Sequence, residues 1–139
     1  MKPAAFAIAA LSLVAVATDS ALAEGDVAAG EKAFIGCKSC HAVGEGARNR
    51  VGPQLNNVMG RPAGSAEGAR YSPLMTSAKE AGLVWTPELV AQYVQDPSGF
   101  LTGYVNENGG AAKGRSTMSF KLPEAKAADV AAYVATFSE

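Results

Sequence analysis

The stretch CKSCH, residues 37–41, holds both cysteines and the only histidine of the chain. It constrains the fold more than any other segment, because three side chains able to bind metal or change redox state are gathered within about one and a half turns of backbone. Whatever surrounds them has to give that cluster a use.

Four uses compete. A Cys37–Cys40 disulfide would close a very short loop and stabilise little. A thioredoxin-like pair requires the motif to follow a strand and open a helix, whereas DVAAGEKAFIG, which precedes it, has helical character. Structural zinc requires four Cys or His ligands, and the chain has three in all. Covalent haem attachment uses every part of the motif. The thiols of Cys37 and Cys40 add to the two haem vinyl groups, and His41 becomes the proximal iron ligand.

The first 23 residues read as a signal peptide. Lys2 supplies the positive start, residues 4–17 are almost wholly apolar, and Ala21-Leu22-Ala23 offers a small-x-small cleavage site. A membrane span needs roughly 20 apolar residues, but Thr18, Asp19 and Ser20 interrupt this run. Residues 24–139 then form a single exported domain of 116 residues. Losing Lys2 and Asp19 leaves 11 basic and 12 acidic side chains, so the net charge stays at −1. That balance gives no sign of a nucleic-acid binder, and the expected location is the periplasm.

Capping signals divide the domain into short helices. Asp26 caps a helix from Val27, with Val27, Phe34 and Ile35 expected on its buried side and Gly30 placed for close approach of another helix. A glycine-rich loop follows His41, with one short helical turn expected at residues 55–59. Ser72 and Thr86 each precede a proline and open two further helices, at residues 72–81 and 86–97, the second stopped by Pro97. A last helix is expected at residues 123–137. No alternating strand pattern appears, so the fold class is all-α: four to five short helices and long loops. A domain of this size does not carry roughly 50 loop residues without something to pack around, and a haem supplies it.

The sixth iron position decides between electron transfer and ligand chemistry. A second histidine does not exist. Of the methionines in the expected mature chain, Met59 and Met75 read as packing residues, whereas Met118 lies in the polar, non-periodic stretch KGRSTMSFKLP. Met118 is the expected axial ligand, with Lys113 and Lys121 as poorer donors.

Five motifs occur in a recognisable order: CKSCH, GPQLNNVMGR, the lone tryptophan in GLVWTPE, QYVQDP and MSFKLP. Together they resemble class I cytochrome c, of the bacterial cytochrome c2 kind, over residues 24–139. The resemblance implies one covalent haem c and a carbonyl of Pro53 that accepts from the His41 ring. It implies that Arg61, Tyr71 and Trp85 hydrogen-bond the haem propionates and that Tyr93 lies near Met118. Gly30, Phe34 and Tyr133 would pack where the terminal helices cross. Residues 98–117 exceed the mitochondrial pattern in length and are expected as a loop.

The implied function is a monomeric electron carrier rather than an enzyme. Its donor would be a cytochrome bc1-type complex and its acceptor a photosynthetic reaction centre or terminal oxidase. Lys38, Lys113, Arg115 and Lys121 would form a basic edge around the haem that steers it to them. The alternatives are a ligand-binding or peroxidase-like haem protein with an open sixth site and, more distantly, a non-haem redox module built on Cys37 and Cys40.

Overall fold

The computed structural model describes residues 25–139, so the expected signal peptide and its cleavage site lie outside the described residues. The described residues form five α-helices: α1 (Val27–Ala33), α2 (Pro73–Glu80), α3 (Pro87–Gln95), α4 (Pro97–Glu107) and α5 (Glu124–Ala135). The only extended pairing among the described residues is a single antiparallel bridge between Pro62 and Val84. No helix among them is long and apolar enough to cross a membrane.

The sequence caps do what their chemistry predicts. The side chains of Asp26, Ser72 and Thr86 accept from the amides of Ala29, Met75 and Leu89, satisfying donors that a helix start leaves unpaired. Pro73 and Pro87 then occupy a first-turn position, where a missing N–H costs nothing.

Helices α1 and α5 cross, and α5 also packs on α3 while α2 packs on α4. The first crossing is tight: a Cβ built on Gly30 would fall 2.0 Å from the Asp129 carbonyl oxygen, and one on Gly25 2.1 Å from that of Ala128. Only glycine lets the backbones approach so closely. Phe34 and Tyr133 meet there with ring centroids 5.4 Å apart, as the resemblance implies.

Three expectations need correction. Val27 and Ile35 are 45% and 66% exposed, not buried. The chain tightens after α1 into a 3₁₀ turn, Phe34–Cys37, whose three-residue period buries Phe34 and turns Ile35 outward. Residues 55–59 form no helix, because Asn57 adopts a left-handed φ of 55° that ends any right-handed turn. The expected loop 98–117 begins as α4, with Pro97, Leu101 and Val105 buried along one face. Pro97 ends α3 and opens α4.

Candidate functional site

The 3₁₀ turn delivers the CKSCH segment as one more tight bend. The amides of Cys40 and His41 both donate to the Cys37 carbonyl, at 3.1 and 2.9 Å, which gathers the two thiols and the imidazole. The Gly52 amide donates to the Cys40 carbonyl at 2.9 Å, laying the strand of loop at residues 50–53 beside the motif. Neither cysteine is in a disulfide.

That loop sets the histidine. His41 Nδ1 lies 2.7 Å from the Pro53 carbonyl oxygen and donates to it, so Nε2 is left as the nitrogen available to a metal. Burial pushes the His41 pKa down, opposed by the Pro53 hydrogen bond, which leaves the ring neutral at pH 7, the form that ligates. Burial, with Cys40 beside it, pushes the Cys37 thiol up.

His41, Cys37 and Cys40 line a cavity of about 360 Å³ together with Met118, Pro53, Arg61, Tyr71, Trp85 and Tyr93. Every site residue expected from the sequence is therefore brought to one place. The rest of the lining is mainly apolar, including Phe34, Leu55, Val58, Met75, Val94, Val130 and Val134. Two parts of the lining lie close together: Phe120, two residues beyond Met118, comes within 3.1 Å of where a Cβ on Gly36 would stand, next to Cys37. A second cavity, about 390 Å³ between α3 and α4, is lined by Leu89, Phe100, Tyr104 and Glu107 among others and holds no Cys, His or Met.

The polar members are placed by backbone pairing. Trp85 N donates to Arg61 O at 3.1 Å, Gly60 N to Trp85 O at 2.8 Å, and Ala63 N to Leu83 O at 2.8 Å. These bonds set Arg61 beside Trp85. The Arg61 guanidinium donates to the carbonyls of Gln54 and Asn56 at 3.1 and 3.4 Å, which uses two of its five N–H groups. Burial lowers its pKa, offset in part by the Tyr71 phenol; it stays a cation. The Tyr71 hydroxyl accepts from Ala66 N at 3.0 Å, which leaves its O–H to donate to another partner. Trp85 is 7% exposed and packs on Tyr93 at 5.0 Å between centroids. Tyr93, whose phenol burial pushes up against the opposing pull of Ser116, shares a 3.4 Å hydrogen bond with the Ser116 hydroxyl.

A haem fits this set. The cavity offers two thiols, a neutral imidazole and a thioether inside apolar walls, with cation and hydroxyl donors for carboxylates at Arg61 and Tyr71.

The sequence did not point to Gly52, where a Cβ would fall 2.4 Å from His41 Cε1, nor to Val51 and Phe120. These two apolar residues line the cavity and yet are 73% and 47% exposed. The Gly-Pro pair at residues 52–53 was the available signal for the first. Of the expected basic edge, Lys121 is paired with Asp96 at 2.9 Å, and Lys38, Lys113 and Arg115 are exposed.

The chain is similar to several known proteins. The cytochrome c family model matches residues 27–138. The chain is 48% identical over 118 residues to cytochrome c2 iso-1 of Rhodospirillum centenum, covering 83% of this chain and 98% of the relative. It is 47% identical over 114 residues to a cytochrome c2 of Rhodopseudomonas palustris, covering 80% and 97%. The solved structure of cytochrome c2 from Rhodospirillum centenum superposes with a TM-score of 0.80 at 47% identity, covering 83% of this chain and all of that one.

Proposed function

The chain belongs to the cytochrome c family, with one haem c bound covalently through Cys37 and Cys40, and we propose that it carries single electrons in the periplasm with its iron held between His41 and Met118. The observation that carries it is the cavity that gathers His41, whose Nδ1 is already engaged by Pro53, and Met118, the one methionine there that comes from a non-helical loop.

When bound, the haem supplies an Fe(III)/Fe(II) couple that takes up and gives back one electron. The protein's part is positional and electrostatic. Pro53 orients the His41 ring and makes it more basic by accepting a hydrogen bond from Nδ1–H. Met118 offers a soft, neutral donor, and the apolar lining excludes water, both of which favour the less charged oxidation state. Arg61 and Tyr71 would supply hydrogen-bond donors to the haem propionates, with Trp85 held beside Arg61 by backbone pairing. Cys37, Cys40 and His41 sit in a bend closed by backbone hydrogen bonds and Met118 on a span pinned at Ser116 and Leu122, an arrangement that would limit rearrangement when an electron is taken up.

Partners would meet the cavity where it reaches the surface at Val51 and Phe120. Lys38, Lys113 and Arg115 give that approach a positive bias suited to an acidic docking surface on a cytochrome bc1-type donor and on a reaction centre or terminal oxidase.

Absorption spectra of the haem-loaded protein and of Met118→Ala test the ligand pair. The wild type should show the weak far-red sulfur-to-iron(III) band, and reduced wild type should resist carbon monoxide. Met118→Ala should lose the band, lower the reduction potential and admit carbon monoxide. A wild type without the band, or one that binds carbon monoxide readily, would replace this reading with that of a ligand-binding haem protein.

A further inference from the structure

We infer that Ser98, in the first turn of α4, is a positioning residue for Met118. The inference rests on Met118 being the axial ligand and adds what keeps its sulfur within reach. The Ser98 hydroxyl accepts from the backbone amide of Ser116 at 3.0 Å. Ser116 is 6% exposed, and its own hydroxyl shares a 3.4 Å hydrogen bond with the Tyr93 phenol. Two helices, α3 and α4, thus grip one buried residue two positions before Met118.

The grip matters because the ligand loop has few others. After Gly110, whose amide donates to Val105 O at 2.9 Å, the next hydrogen bonds that fix the loop's backbone among the described residues are Ser116 N to Ser98 and Leu122 N to Val94 O at 2.8 Å. Met118 is therefore carried on a short span pinned at 116 and 122. Without the Ser98 hydroxyl the backbone would run unpinned from 110 to 122, about twice as long, with only the Ser116 side chain still held, by Tyr93, and a longer span swings a side chain away at lower entropic cost. An iron–thioether bond is weak enough to be displaced by a competing donor, so the loop's restraint enters directly into how readily that happens.

The function of α4 follows. It is a helix where the sequence predicts a loop, and its first turn supplies a hydroxyl whose hydrogen bond goes to the segment that completes the site.

The test uses the oxidised, haem-loaded protein and imidazole as the competing ligand, with the far-red band as the readout. Ser98→Ala should bind imidazole about fivefold more tightly, the worth of one ordinary hydrogen bond, and Ser98→Thr, which retains the hydroxyl, should restore the wild-type value. Asn108→Ala removes a hydrogen bond at the other end of the same helix, from Asn108 Nδ2 to Tyr104 O at 2.8 Å, and should leave imidazole binding unchanged. Equal binding by Ser98→Ala and wild type, or equal tightening in Asn108→Ala, would overturn the inference while leaving the axial ligand in place. A wild type with no far-red band would overturn both together.

Discussion

Gly52 lies against the His41 ring so closely that a Cβ built on it would fall 2.4 Å from Cε1 and 2.9 Å from each ring nitrogen. The neighbouring Pro53 carbonyl holds that ring at 2.7 Å. One dipeptide therefore limits His41 from two sides, by contact and by hydrogen bond. Gly52→Ala must push the ring or the loop and stretch the Pro53 hydrogen bond. We expect a loss of about 1–3 kcal/mol of stability, typical of overpacking, accompanied by a changed haem spectrum. Chemical denaturation and absorption together check this, and an unaltered spectrum with unaltered stability would show that the loop yields freely.

At the crossing of α1 and α5 the same chemistry has a different readout. Gly30→Ala would gain up to about 1 kcal/mol from helix propensity, but its methyl would meet the Asp129 carbonyl at 2.0 Å and the Tyr133 Cβ at 2.8 Å. Backbone cannot step aside as a side chain can, so the clash outweighs propensity. The unfolding free energy should fall by about 3 kcal/mol, while the spectrum and potential of the protein that remains folded stay as in the wild type. A stability equal to or above wild type would show that the helices can separate without cost.

Much of this was readable in advance because it is local. CKSCH is contiguous, and Asp26, Ser72 and Thr86 each cap the residue three positions on. What escaped depended on relations the local sequence does not display. Pro97 serves as terminator of α3 and first residue of α4, and α4 contains Gly99 and Gly103 and has no side-chain cap, so breaker signals hid the four-residue spacing of Pro97, Leu101 and Val105. A 3.6-residue period places Ile35 inward, but the chain has already tightened to three residues per turn there. The hold of Ser98 on Ser116 spans 18 positions, and no periodicity announces it.

The pairing of Asp96 with Lys121 sets a pH dependence. Lys121 beside it holds the Asp96 carboxyl below its ordinary value of about 4. A depressed folded-state pKa contributes stability that is fully present above the unfolded value and is lost as pH falls through the folded one. Wild type should therefore be slightly more stable than Asp96→Asn at pH 6, and the difference should shrink below pH of about 4. The effect is small because both groups are more than half exposed, 62% for Lys121 and 54% for Asp96. Denaturant titrations at pH 6 and pH 3 check it, and a difference that does not change with pH would assign the loss to something other than this ion pair.

The same pair bears on how the protein meets its partners. With residues 1–23 removed the net charge is −1, so the whole-molecule charge alone predicts that a small anionic oxidant such as hexacyanoferrate(III) reacts slightly faster as salt screens the repulsion. A basic edge around the haem predicts the reverse, since the field near the reacting edge governs encounter and is screened over about 10 Å at 0.1 M salt. We expect the oxidation rate to fall with rising salt. Lys113→Gln should lower the rate at low salt. Asp96→Asn, which removes the carboxylate that offsets Lys121, should raise it, and both differences should vanish at high salt. Stopped-flow oxidation across a salt series checks all three. If the rate instead rises with salt and neither variant alters it, the cations at 38, 113, 115 and 121 are only a solvated face, and docking has to be sought in the exposed apolar residues Val51 and Phe120, where the cavity reaches the surface.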